Sequence, residues 1–258
     1  MAKNKAIGKR ELDTFKSYFG DYKDQYVLIG GSATKLVLED ADLRARATKD
    51  LDIVLCAKAL TKEFVKKFWE FISAGGYEIK KKLNGGSVYY RFERPTTDGF
   101  PYMIELLSER VEYFEETDQI VLPLVIDDDV VSLSAIILNQ EYYDFLMNNK
   151  VVFDGIVIAD ERLLIPLKVS AYLDLKSRRD AGEVIKGDDI RKHKNDVIRL
   201  TVLLSGVPAS NVPSIIKDEI RAFTDELSDE GDLLRNLGIG IKDIESVKQL
   251  LRNVYGVT

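Results

Sequence analysis

Tyr26-Val27-Leu28-Ile29-Gly30-Gly31-Ser32-Ala33-Thr34-Lys35-Leu36, followed a short way on by Lys49-Asp50-Leu51-Asp52-Ile53-Val54-Leu55, decides how this chain is read. The first part is a short β-rich run that ends at two glycines and passes into ATKLVLEDADL, which reads as a helix with Ser32 near its start. Glycines between a strand and a helix let backbone N–H groups approach an anion closely, and the helix N-terminus adds its partial positive charge. Gly30, Gly31 and Ser32 are therefore expected to bind phosphate. The plainer alternative is a tight turn with no ligand, a common use of glycine. There is neither a GxGxxG fingerprint nor a Walker-type GK[ST], so dinucleotide binding and P-loop hydrolysis lack support.

The second part reads as a strand. Side chains alternate between faces, so Leu51, Ile53 and Leu55 point to the core while Asp50 and Asp52 emerge together on the other side. Two adjacent carboxylates repel each other unless a cation lies between them, and two metals about 3.5 to 4 Å apart are the usual apparatus for attack on a phosphoryl group. An Asp-x-Asp pair on a strand edge is by itself merely exposed. The glycine turn before it gives it more weight, and a third carboxylate should then come from a neighbouring strand. Glu105 supplies that acid: it sits in Pro101-Tyr102-Met103-Ile104-Glu105-Leu106-Leu107, an otherwise apolar strand where an unpaired charge is costly. A strand-end glutamate reaching solvent is the alternative.

Around these motifs the chain predicts an α+β protein. A helix over Lys9 to Phe19 comes first, and a helix over Thr61 to Ser73 stops at Gly75-Gly76. Strands are expected at Tyr77 to Lys81, Val88 to Glu93 and Tyr102 to Leu107. Between Ile120 and Ile158 the pattern is mixed: a strand at Val121 to Ile126, a helix over Ser134 to Met147, and a strand or extended pair over Val151 to Ile158. After the N-cap Asp160 the reading is helical, over Glu161 to Ser177 with Pro166 bending it, Asp189 to Leu204, Val212 to Glu226 and Lys242 to Tyr255. The expectation is an N-terminal domain over 1–160, a mixed β-sheet flanked by helices, and a C-terminal helical domain over 161–258.

Composition narrows the chemistry. Cys56 is the single cysteine and His193 the single histidine, which excludes an internal disulfide, a thiolate metal cluster and a multi-histidine zinc site. Any metal must be held by oxygen, and Mg²⁺ is the natural candidate. The net charge of -6 argues against a protein that coats nucleic acid. Residues 161 to 200 are nevertheless locally basic, with ten Lys and Arg against seven Asp and Glu, a segment suited to phosphate groups or simply a solvated helix face. No apolar run reaches the ~18 to 20 residues that span a bilayer, and a cytoplasmic protein is expected.

GGSATKL followed by RATKDLDIVL resembles the AbiEii/AbiGii toxin family of nucleotidyltransferases, within the superfamily related to DNA polymerase beta. The family's Gly-Gly-[Ser/Thr]-Ala turn falls on Gly30, Gly31, Ser32 and Ala33, and its acidic strand on Arg46, Thr48, Asp50, Leu51 and Asp52. LLIPLKVSAYLDLKSRRD and IRKHKNDVIRL are similar to the family's lysine-bearing helix and a later Lys-Asp segment. The resemblance implies that Lys168 and Lys194, with Asp196, lie near a nucleotide; a solvated helix lysine is the alternative for Lys168. It also implies a nucleotidyltransferase domain in which Asp50, Asp52 and Glu105 are the catalytic, metal-holding acids of a two-metal Mg²⁺ site. A nucleoside triphosphate would be the donor, an RNA such as tRNA or a protein the acceptor, and an antitoxin protein a partner. Arg46 and Thr48 would brace the loop. Two other readings stand beside it: an antibiotic-modifying adenylyltransferase acting on a small molecule, and a catalytically silent relative that binds a nucleotide without turnover.

Overall fold

The computed structural model describes residues 6–56, 59–84, 87–108, 139–228 and 232–257, with backbone alone for 80–84, 87–90 and 108. In chain order the elements are α1 Lys9–Phe19, β1 Tyr26–Ile29, α2 Gly30–Asp40, β2 Asp50–Leu55, α3 Lys62–Gly75, β3 Glu78–Asn84, β4 Ser87–Glu93, β5 Met103–Ser108, α4 Gln140–Asn149, β6 Val151–Phe153, β7 Ile156–Ile158, α5 Glu161–Asp180, α6 Gly187–Thr201, α7 Ser214–Glu226, α8 Leu233–Asn236 and α9 Ile244–Tyr255. The chain divides into two compact units. The first comprises residues up to 35, 46–108 and 150–159 and holds the sheet; the second comprises 36–45, 139–149 and 160–257 and is helical. The expected strand at Val121 to Ile126 and the start of the helix expected from Ser134 lie outside the described residues.

The sheet has seven strands in the order β3-β4-β5-β2-β1-β7-β6. It is mixed: β2 runs parallel to β5 and β1 parallel to β7, while the remaining neighbours are antiparallel. One face is covered by α1 and α3. Leu12, Phe15 and Phe19 of α1 and Phe64, Phe68 and Phe71 of α3 recur at helical spacing and are buried. They meet the sheet through edge-to-face and tilted ring contacts, Phe15 with Tyr26 at 5.3 Å and Phe68 with Phe92 at 5.3 Å. Thr61 caps α3 by accepting from the Phe64 amide, and the helix ends at Gly76 in the left-handed conformation, φ 62°.

In the helical unit α5 packs against α4, α6 and α7, and α9 against α6 and α7. Leu163, Leu164, Val169, Val197, Ile220, Phe223, Val247 and Leu251 fill its core. Helix α5 runs unbroken through Pro166. Proline has no N–H to give to the carbonyl four residues earlier, that of Arg162. The hydroxyl of Tyr255 donates to this carbonyl instead, at 2.9 Å.

Several element boundaries differ from the sequence expectation. Helix α2 begins at Gly30 itself, because Gly30 in the left-handed region (φ 66°) turns the chain straight from β1 into the helix. Strand β3 runs on to Asn84, since its antiparallel pairing with β4 continues to Asn84 opposite Ser87. Helix α6 starts at Gly187, after Lys186, and closes at Thr201 rather than Leu204. The 151–158 stretch is a hairpin, closed by Asp154 and Gly155 with φ of 45° and 78°.

Candidate functional site

Pairing across the sheet decides which acids meet. In the parallel pair β2–β5, Asp52 stands opposite Glu105 and Asp50 opposite Met103. In the antiparallel pair β4–β5, Glu105 stands opposite Arg91. Paired residues share a face, so Arg91, Glu105 and Asp52 form one row across three strands, with Asp50 one step along on the same side. Leu51, Ile53, Ile104 and Phe92 take the other face, where Phe92 meets the aromatic cluster. The row then reaches β1 at Ile29, opposite Asp52, and the next residue is Gly30.

Both glycines are needed here for space. A Cβ built on Gly30 would stand 1.9 Å from Asp52 Oδ2, and one on Gly31 would stand 2.6 Å from Thr48 Oγ1. The Asp52 carboxylate thus rests directly on the bare backbone at the start of α2, whose first N–H groups have no partner within a helix. Thr48 is buried against Gly31, and its carbonyl accepts from the Ile7 amide at 2.7 Å, which ties the loop before β2 to the chain ahead of α1. Two hydroxyls secure the first turn: Ser32 donates to the Ile29 carbonyl at 3.2 Å and Thr34 to the Gly30 carbonyl at 2.7 Å. The Ser32 side chain is buried and turned to the backbone.

Glu105 is buried and its Oε1 is held by Arg91, Nε and Nη2 each lying at 2.6 Å. Sequence reasoning missed Arg91. The signal that could have found it is the solitary glutamate in an apolar strand, with Arg91 the one arginine inside the preceding strand-like run. Among the described residues, no group of three or more His, Cys, Asp or Glu is gathered closely enough to hold a metal ion. Oxygen donors on one face beside a glycine backbone suit a hard cation together with a phosphate. Asp50 and Asp52 fit that role, while the third carboxylate faces an arginine.

The chain is similar to an antigenic nucleotidyltransferase-like protein from Paracoccidioides brasiliensis, whose crystal structure aligns over 92% of this chain and 96% of that one, at 18% identity and a TM-score of 0.45. No family model and no curated protein matches the chain.

Lys168 and Lys194 belong to the helical unit, on α5 and α6. Lys168 is 3% exposed, and its ammonium donates to Asp196 Oδ2 at 3.0 Å; Arg199 Nη1 lies 3.5 Å from the other oxygen of the same carboxylate. Two of the three residues that the resemblance places near a nucleotide, Lys168 and Asp196, thus form a buried ion pair with each other. Lys194 is half-buried. No helix among the described residues is long and apolar enough to cross a membrane.

Proposed function

We propose that this protein is a metal-dependent nucleotidyltransferase that moves a nucleoside monophosphate from a nucleoside triphosphate to an acceptor hydroxyl. One observation carries the reading: Asp50, Asp52 and Glu105 share a face of two parallel strands, and Asp52 packs on the Gly30 backbone where α2 begins. Carboxylates beside the N-terminus of a helix are the parts such a transfer needs.

In this reading the amides of Gly31 and Ser32 bind phosphate oxygens, while the buried Ser32 hydroxyl keeps the first turn in shape for them. Asp50 and Asp52 would hold Mg²⁺. When bound, the cation would neutralise the triphosphate and ease ionisation of the acceptor hydroxyl. Glu105 pairs with Arg91 through Oε1, and its Oε2 is the atom that would take the proton from the acceptor. A role for Lys168 and Lys194 toward the nucleotide rests on the motif resemblance alone, as do an RNA or protein acceptor, an antitoxin partner and a toxin role.

The hold of Arg91 on Glu105 favours a second reading, a relative that binds a nucleotide without turning it over. The test is incubation with each labelled nucleoside triphosphate, Mg²⁺ and total cellular RNA or protein. Label should enter one pool with the native chain and fall by at least about a thousandfold with Asp52→Asn, since a metal ligand is lost without any loss of core packing. Nucleotide binding with no transfer to any pool would select the silent relative. Transfer undiminished in Asp52→Asn would sink both the site and the reading.

A further inference from the structure

Away from the acidic row, the helical unit holds a cavity of about 270 Å³ lined by Leu38, Leu43, Arg44, Arg199, Arg235, Asn236, Leu237, Gly238 and Ile239. Three of these are arginines, four are aliphatic, and no acidic side chain lines the cavity among the described residues. We propose that it binds a small phosphate monoester with a compact apolar body, the phosphate among the arginines and the body against Leu38, Leu43, Leu237 and Ile239.

The walls are fixed. On one side, α2 ends with the Leu43 amide donating to the Leu38 carbonyl at 2.8 Å, around Asp42 at φ 56°. On the other, α8 ends with the Ile239 amide donating to the Leu234 carbonyl at 3.0 Å, around Gly238 at φ 70°. Both turns are closed by backbone hydrogen bonds, so the cavity is a preformed space, the usual state of a small-molecule site.

Its charge is in surplus. Arg235 pairs with Asp232 at 2.6 Å, and Arg199 shares Asp196 with Lys168. Arg44 makes no ion pair among the described residues, and Arg199 Nε is buried there without a hydrogen-bond acceptor. The three arginines of the lining thus have two carboxylates between them, one of which is shared with Lys168. A guanidinium fork matches phosphate oxygens geometrically, which makes a phosphate the fitting anion, and the volume lies just below the usual range for drug-sized ligands. The plainer account is that Arg199 and Arg235 stabilise the C-terminal ends of α6 and α8, where cations are favoured. That account leaves Arg44, which lies beyond the end of α2, and the aliphatic floor without a role.

The experiment is titration of the full chain, by calorimetry and amide chemical shifts, with phenyl phosphate, inorganic phosphate and phenol. Phenyl phosphate should bind more tightly than either fragment. Arg44→Gln and Arg235→Gln, both at exposed positions and therefore without consequence for folding, should each weaken it about ten- to hundredfold. Asp52→Asn should leave the titration unchanged, which separates this cavity from the phosphate cradle at Gly30. No binding up to roughly 10 mM, equal binding of inorganic phosphate, or binding insensitive to both arginine substitutions would overturn the proposal and leave the arginines as helix-end residues.

Discussion

Lys168 and Asp196 show how much a single residue's surroundings matter. At 3% and 1% exposure the two side chains lie where an ion pair offsets its own desolvation, and where one unpartnered charge would not be tolerated. Lys168→Met leaves Asp196 with Arg199 Nη1 at 3.5 Å and should cost about 1 to 3 kcal/mol. Lys168→Met with Asp196→Leu leaves a part-exposed Arg199 able to turn to solvent and should cost less than the single change. Urea denaturation of the three chains reads this directly. A single variant of native stability whose nucleotide KM has risen would instead make Lys168 a nucleotide contact. The sequence shows the lysine and the aspartate at helical positions but not that they face each other, because they lie on two helices and meet only once α5 packs on α6. Glu105 is the opposite case: a lone acid in an apolar strand is costly without a partner, and that much was legible. The partner itself, Arg91, was hidden until the register of β4 on β5 was known.

At the scale of elements, periodicity carried most of the information. The amphipathic spacing of α1 and α3, the capping residues Thr61, Asp160 and Asp243, and the left-handed Gly76 and Gly256 all act locally, so these helices stand close to where the pattern put them. What the pattern could not give was compensation from afar. Helix α5 continues through Pro166, and the acceptor that proline strands is served by a hydroxyl from the far end of the chain. Removing that hydroxyl should matter only while the proline is there. Tyr255→Phe is expected to destabilise the native chain by about 1 to 3 kcal/mol, the penalty for a buried polar group left unmet. In a Pro166→Ala background the helix regains its own N–H for the Arg162 carbonyl, and the same substitution should cost markedly less. Thermal or urea unfolding of the four chains gives the coupling energy; equal costs in both backgrounds would mean that the hydroxyl serves some other purpose.

At the scale of the molecule, the mixed sheet with helices and the helical second part were readable, because strand-like and helix-like patterns separate along the chain. The finer division was not: residues 36–45 and 139–149 group with the helical unit through contacts distant in sequence. The same unit has a pH dependence that charge counting would miss. Glu219 on α7 accepts from Tyr142 on α4 and, at 3.1 Å, from the Ser170 hydroxyl on α5, so one carboxyl group joins three helices. Burial raises its pKa above the ordinary 4.5, more than the two hydrogen bonds lower it, and burial likewise raises that of Asp160 at the N-cap of α5. A carboxyl group raised in the folded state binds its proton more tightly there than in the unfolded chain. Its contribution to stability is therefore fullest below the unfolded value and declines as pH rises through the folded one. Asp154 and Asp243, lowered by hydrogen bonds to Lys16 and Ser246, act in the opposite sense but are solvent-exposed, where such pairs count for little. Glu219→Gln removes the titration and keeps the shape; the acceptor it exchanges for a donor gives an offset that does not vary with pH. The stability of the variant relative to the native chain should consequently climb as pH rises through the folded pKa of Glu219 and stay level below about 4. Urea unfolding from pH 3 to 8 measures the slope, and a difference that is flat across the range would show that Glu219 stays charged in this fold at no cost.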